Sequence, residues 1–425
     1  MSLLDKIAGE IHERGPIPFS RYMEMCLYQP ESGFYSRDIE RFGKAGDFYT
    51  SSDVHALFGR LVARQFEEMW RVLGRPGPIQ ILELGPGRGL FARDVLEWSQ
   101  KKYPEFYEAM HYSLCERSKA LRTRLLSILN QHLESGKVSI GSASPALATD
   151  SKSADSGSNE GEGPTSVVPN GVEITRALVP EVPIIVFANE FFDALPVEIL
   201  SHKGKLFVHF CNGHFTECWK EPSRAELDLL EHYSVPPEPG ERLEISLPAQ
   251  LYMQEIARIV QRGFALVIDY GYTREQQLAG RHRGTLMSFR QHAAITNPYQ
   301  AAGEQDITAH VNFTGLGAAA ERGGMLVQPL ITQSQFLLGI GEANQFADAF
   351  EECAAPQERA KVALQLKHLI TPAGMGESFH VMLASKGLDS SVVTNLSGTS
   401  FGKRTVAAMN PSSSPAAPVD QTLQR

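Results

Sequence analysis

The sequence has no Cys-x-x-Cys pair, no long apolar run, no excess of positive charge and no internal repeat. Its five cysteines, Cys26, Cys115, Cys211, Cys218 and Cys353, are odd in number and scattered. That pattern excludes a disulfide framework and a zinc ribbon, and predicts reduced thiols. The longest apolar stretches, such as residues 184–188 and 264–268, are far too short to cross a bilayer, so no membrane insertion is expected. Asp5, Lys6 and Glu10 stand where a signal segment would be apolar. Lys and Arg total 40 against 49 Asp and Glu, a net charge of −9. This balance lacks the basic footprint of a nucleic-acid binder, and no nucleic-acid partner is expected. His292 and His310 have no companions at zinc spacing, so no metal is expected. Together these absences predict a soluble protein with cytoplasmic localisation.

What is present supports a large core. The chain has 425 residues, 42% of them apolar and 21% charged, which exceeds one ordinary domain. Residues 142–170 are rich in Ser, Ala, Gly and acids and hold no aromatic. They offer too little apolar surface to offset ordering entropy and are expected to be a disordered insertion. The Pro/Ser/Ala-rich tail at 388–425 reads the same way.

Between these stretches strand-like and helix-like segments alternate. Short apolar runs at 79–84, 112–115, 138–140, 184–188, 264–268 and 379–383 read as buried strands. Helical spacing follows at 91–101 and from about 118 to 133. Such alternation predicts an α/β fold, a doubly wound Rossmann-like sheet with crossover helices. Ahead of it, residues 1–75 form an expected helical region, with Ser20 capping a helix through Leu27 and Ser51, Ser52 and Asp53 capping one through Leu73.

The most informative local pattern is Glu83-Leu-Gly85-Pro-Gly87-Arg-Gly89, between the first strand and its helix. Glycines there let the backbone turn sharply and approach a ligand at the carboxyl edge of the sheet. The spacing is Gly-x-Gly-x-Gly, not the Gly-x-Gly-x-x-Gly of a dinucleotide site, which argues against a nicotinamide dehydrogenase. Glu116 ends the next strand, where a carboxylate can accept both hydroxyls of an adenosine ribose. Read alone, each is also compatible with a plain strand-to-helix turn and a helix-start carboxylate. The Glu-x-Gly-x-Gly-x-Gly form resembles the first motif of class I S-adenosylmethionine-dependent methyltransferases.

Four more segments sharpen the resemblance: Gly46-Asp-Phe-Tyr-Thr-Ser51, Asn189-Glu-Phe-Phe-Asp-Ala-Leu-Pro196, Asp269-Tyr-Gly271 and Gly303-Glu-Gln-Asp-Ile-Thr-Ala-His-Val311. With the glycine turn they are similar to the MidA family of class I methyltransferases, over about residues 3–386. Mitochondrial members of that family assist respiratory complex I assembly and symmetrically dimethylate an arginine of one of its subunits. The chain departs from the family pattern in the insertion at 142–170 and at Asn312, where Asp is usual.

The resemblance implies S-adenosyl-L-methionine as cofactor and an arginine of a protein as acceptor. It places Glu83, Gly85, Gly87, Gly89, Glu116 and Asn189 on the cofactor, and Asp47, Tyr49, Thr50 and Ser51 in a lid over it. The methyltransferase domain would be 76–141 and 171–386, with a substrate-binding insertion around 197–262. A guanidinium stays protonated and presents a planar fork of donors, which a carboxylate can bind bidentately. Glu190 is the first candidate for that catalytic clamp and Asp193 the second, unless Asp193 caps a following helix. Tyr270 and Asp306 are expected on the substrate side, with Thr308 and His310 in the same wall; Phe191 and Phe192 are channel or core. A methyltransferase for another nitrogen, oxygen or small-molecule acceptor, and a low-turnover assembly factor, remain open readings. Nothing in the sequence fixes an oligomeric state.

Overall fold

The structure, a computed structural model, describes residues 1–37, 56–141, 181–290, 293–295, 297–342 and 344–401. The expected disordered insertion, the lid residues Asp47, Tyr49, Thr50 and Ser51, His292 and the tail beyond Phe401 lie outside those residues.

Nine strands of the described residues make the central sheet. They are β1 (Ile79–Leu84), β2 (Met110–Cys115), β3 (Val138–Gly141), β4 (Ile184–Asn189), β5 (Gly263–Tyr272), β6 (Val311–Asn312), β7 (Leu326–Val327), β8 (Ile331–Thr332) and β9 (Phe379–Lys386). The order is β3-β2-β1-β4-β5-β9-β7, with β6 beside the end of β5 and β8 on β9. From β3 to β5 all neighbours are parallel, and β9 runs antiparallel to β5. Every residue of β1 is buried, as a parallel strand covered on both faces requires. Helices Ala56–Val72, Leu90–Lys102, Gln333–Glu342 and Pro356–Ile370 pack on one face, around the stacked rings of Phe91 and Phe187 at 4.4 Å. Leu247–Ile259 and Phe313–Arg322 cover the other through Met253, Ile256, Leu316 and Ala319. The sheet is doubly wound, as its alternating sequence predicts.

Strands Glu198–Ser201, Gly204–Cys211, His214–Lys220 and Leu243–Ile245 form a second, antiparallel sheet inserted after β4. The N-terminus joins it. Ile17 pairs with Val208, and helices Leu3–Arg14 and Phe19–Tyr28 pack on it through Ile7, Phe19 and Tyr22. The expected 1–75 region is therefore split in its packing, because the apolar face of Ala56–Val72 (Leu57, Phe58, Leu61, Phe66) belongs to the main core. The expected insertion to residue 262 likewise ends near Ile245, since Leu247–Ile259 covers the main sheet.

Three local expectations are corrected. Helix Phe19–Tyr28 starts one residue before Ser20, with Pro18 at its cap; the Ser20 hydroxyl instead donates to Glu198 Oε1 at 2.6 Å. The helix expected from 118 to 133 is two, Lys119–Ile128 and Asn130–Glu134, though Ser118 does cap the first. The tail does not lose order at 388. Val393 and Leu396 enter the main core, and the Gly398 amide donates to Gln65 Oε1 at 2.9 Å.

Candidate active site

The sheet order reverses at β1, between β2 and β4, and such a switch point opens a crevice at the carboxyl ends of the strands. Two turns meet there. After β1, Gly85, Gly87 and Gly89 all take left-handed φ, at 63°, 53° and 75°. After β4, Glu190 does so too, at 50°, which is uncommon outside glycine. The turns touch: a Cβ on Gly85 would stand 2.9 Å from the Phe191 ring. A Cβ on Gly89 would meet Leu125 at 2.4 Å, whereas one on Gly87 meets nothing within 4 Å. Gly87 thus borders open space while its neighbours are packed.

Glu116 reaches this turn from the end of β2. Its carboxylate accepts the Ser118 amide at 2.7 Å and draws on the amides of Gly87 and Arg117. Burial nonetheless pushes its pKa up to about 7, against the lowering by those amides and by Arg122. Glu83 sits deeper, accepting the Tyr112 hydroxyl at 2.9 Å, and burial pushes it up to about 8, with the Glu116 charge adding to the rise. Asn189 closes the far side. Its Nδ2 donates to Glu190 Oε1 at 3.1 Å, leaving Oδ1 buried with no hydrogen-bond partner among the described residues.

Asp193 lies three residues past Glu190 and is 4% exposed. Residues 192–195 form a turn and then enter the strand at Glu198, so no helix follows for Asp193 to cap. Its Oδ1 is buried without a hydrogen-bond partner among the described residues, and burial together with the charges of Asp269, Glu190 and Asp306 drives its pKa well above the carboxylate range. Burial raises Asp269 too, up to about 7, against the lowering by the backbone amides that its oxygens accept. Asp306 accepts the Tyr35 hydroxyl at 2.7 Å, which ties the N-terminal segment to the crevice. The Tyr270 ring lies tilted against Phe379 at 3.9 Å and parallel to His310 at 6.2 Å, and Glu190 and Asp193 are the first charges acting on it.

The structure therefore brings Glu83, Gly85, Gly87, Gly89, Glu116, Asn189, Glu190, Asp193, Tyr270 and Asp306 to one edge. Phe192 is core at 2% exposed, while Phe191 is half-buried against the glycine turn. Thr308 is buried in the same wall. His310 faces His282 at 3.3 Å, and burial with the neighbouring His282 and His380 pushes its pKa down to about 4. No group of three metal-ligating side chains occurs among the described residues. Asn312 caps helix Phe313–Arg322 through the Gly315 amide and donates to Tyr233 O at 2.7 Å, a bond an aspartate could not make. Asp269 is a further residue of this site, although its Asp-Tyr-Gly motif points in sequence only to Tyr270.

A family model of S-adenosyl-L-methionine-dependent methyltransferases, Methyltransf_28, matches residues 61–330. The chain belongs to this family. A protein named protein arginine methyltransferase NDUFAF7 homolog, mitochondrial, from Drosophila melanogaster is 30% identical over 404 residues, 91% of this chain and 85% of that one. The human protein arginine methyltransferase NDUFAF7, mitochondrial, is 26% identical, covering 89% of this chain and 82% of its own. A COG1565 superfamily protein from Burkholderia thailandensis, solved with S-adenosyl-homocysteine bound, is 26% identical with a TM-score of 0.73, covering 93% of this chain and 94% of that one. The MidA resemblance, the fold and the cofactor are borne out. Cytoplasmic localisation is not: the relatives are named mitochondrial, which overturns a reading made only from what the sequence lacks.

As a member of this methyltransferase family the protein uses S-adenosyl-L-methionine, which supplies an electrophilic methyl group on a sulfonium. The residues present fit it. Open space borders Gly87, and the Asn189 Oδ1 acceptor has no partner among the described residues. No helix of the described residues is long and apolar enough to cross a membrane.

Proposed function

We propose that this methyltransferase acts on a guanidinium nitrogen of arginine in a protein, with a respiratory-complex subunit as the acceptor and the mitochondrion as its location. The observation that carries the reading is the charge of the crevice. The charges acting most strongly on Asp193 come from Asp269, Glu190 and Asp306, and all are carboxylates. Burying like charges together is costly unless a cation joins them, and a guanidinium is a cation shaped to bridge two carboxylates. The names of the relatives support the same acceptor.

On this reading Glu116, Asn189, Glu83 and the glycine turn hold the cofactor, and the masking of water falls to the segment bearing Asp47, Tyr49, Thr50 and Ser51. Glu190 accepts the guanidinium fork and offsets its charge where cation approaches cation. Asp193 is the second clamp, its charged form favoured by the guanidinium that joins it. Tyr270 and Asp306 line the acceptor side, and the inserted sheet carries the surrounding protein substrate. The test is mass spectrometry of an acceptor protein incubated with enzyme and cofactor. Methyl groups on arginine are expected; methylation confined to lysine or a carboxylate would overturn the proposal.

A pH dependence follows from Glu116. With its pKa near 7, the carboxylate is protonated below neutrality and loses its capacity to accept two ribose hydroxyls. Affinity for S-adenosyl-homocysteine, measured by calorimetry, should therefore rise with pH through about 7 by up to roughly tenfold per unit, the limit for one linked proton. Glu116→Gln should flatten that dependence. A flat wild-type profile between pH 5.5 and 8 would remove Glu116 from the cofactor.

A further inference from the structure

We propose that Asp269 is a positioning residue for methyl transfer, whose carboxylate sets the placement of Glu190 and Asp193; this rests on the clamp roles given to those two residues above. The ladder between β4 and β5 ends with Asn189 beside Ile268. Glu190 adds one more rung, its amide donating to Ile268 O at 3.0 Å, and then turns off the sheet at a φ of 50°. The next three amides, of Phe191, Phe192 and Asp193, converge on a single oxygen, Asp269 Oδ2, at 3.2, 2.9 and 3.3 Å. Asp269 Oδ1 accepts the Tyr270 amide at 2.9 Å.

Successive amides curled around an anion form a nest, and such a nest holds its shape only while the anion is there. Here the anion is part of the protein. Asp269 is 0% exposed and sits in β5, one of the most enclosed strands of the sheet, just past its last paired residue with β4. Glu190 and Asp193 are the residues at the two ends of the segment it gathers. A shift of the nest moves both carboxylates together. Backbone strain at Glu190 has to be held by surrounding contacts: its own amide bonds Ile268 O, and the Asp269 bonds fix the three residues that follow.

The isosteric change Asp269→Asn is the discriminating variant. An amide offers one acceptor oxygen and an NH2 donor, so it cannot receive all four N–H groups whichever way it is turned. Three measurements on the full chain decide the matter: calorimetric affinity for S-adenosyl-homocysteine, the single-turnover methyl-transfer rate, and hydrogen-exchange mass spectrometry over residues 189–195. The expected result is a rate lowered at least tenfold, cofactor affinity within about twofold of wild type, and faster exchange confined to 189–195. A rate within twofold of wild type with unchanged exchange in that segment overturns the inference. So does faster exchange spread across β4 and β5 with loss of cofactor affinity, which would make Asp269 a general structural residue. Glu190→Gln run alongside separates the two claims. Full activity there defeats the clamp reading, while the exchange data on Asp269→Asn still decide whether the nest is held by this carboxylate.

Discussion

Glu190→Gln is expected to bind cofactor normally and to transfer methyl groups about a hundredfold more slowly, since loss of one such electrostatic contact costs about 3 kcal/mol of transition-state stabilisation. The substitution keeps shape and the Asn189 bond to Oε1, and removes only the charge that the proposed clamp sets against the guanidinium. Asp193→Asn should behave differently. In the free enzyme burial and three neighbouring carboxylates favour the neutral form of Asp193. An asparagine mimics that neutral form, so the melting temperature should hold or rise while the rate falls less than in Glu190→Gln. Single-turnover methyl transfer to an arginine-containing protein, beside calorimetry on the same preparations, separates the two. Full activity in Glu190→Gln would make it a rim carboxylate; lost cofactor affinity would move it to the cofactor side.

Much of this site is legible in the sequence because its parts are local. The Gly85, Gly87 and Gly89 spacing encodes three left-handed residues in five, and an apolar run before it marks the strand that delivers them. Asn189 to Asp193 follows another apolar run, so its place at the same edge can be read directly. What the sequence hides is pairing across distance. The nest around Asp269 exists only because β4 and β5 lie side by side in one register, joining residues 76 to 78 positions apart. A signal was nonetheless there: a lone acid directly after five apolar residues of a buried strand needs donors, and strand ends supply backbone amides. Gly271 is explained the same way, since a Cβ there would meet Val311 O and the Phe313 ring, both at 2.4 Å. Pairing of Ile17 with Val208 likewise joins the N-terminus to the insertion without any local trace. In the tail, polar composition concealed Val393 and Leu396, two apolar residues that suffice to anchor a short helix in the core. Absence misled most over location, since the relatives are named mitochondrial and composition carries no trace of that.

Gly87→Val is expected to abolish cofactor binding while leaving the protein folded. The three glycines of the turn make this a controlled contrast. All three have positive φ, so any side chain at each carries a backbone penalty of about 1–2 kcal/mol, more for a branched residue. They differ in what a side chain would meet. At Gly89 a Cβ collides with Leu125 at 2.4 Å and at Gly85 it presses the Phe191 ring at 2.9 Å, so substitution there disturbs packing first. At Gly87 a Cβ meets nothing within 4 Å, and the fold itself has room for the branch. The same space lies next to the Glu116 carboxylate, which draws on the Gly87 amide, and a valine would fill it. Affinity for S-adenosyl-homocysteine should fall more than a hundredfold in Gly87→Val, with a loss of only a few degrees in melting temperature from the φ penalty. Gly89→Ala should show the reverse order, a larger fall in melting temperature and a smaller direct effect on affinity. Calorimetry and thermal melts on both variants read the two quantities independently. Unchanged affinity in Gly87→Val would mean that the open space beside the turn is not where the cofactor lies.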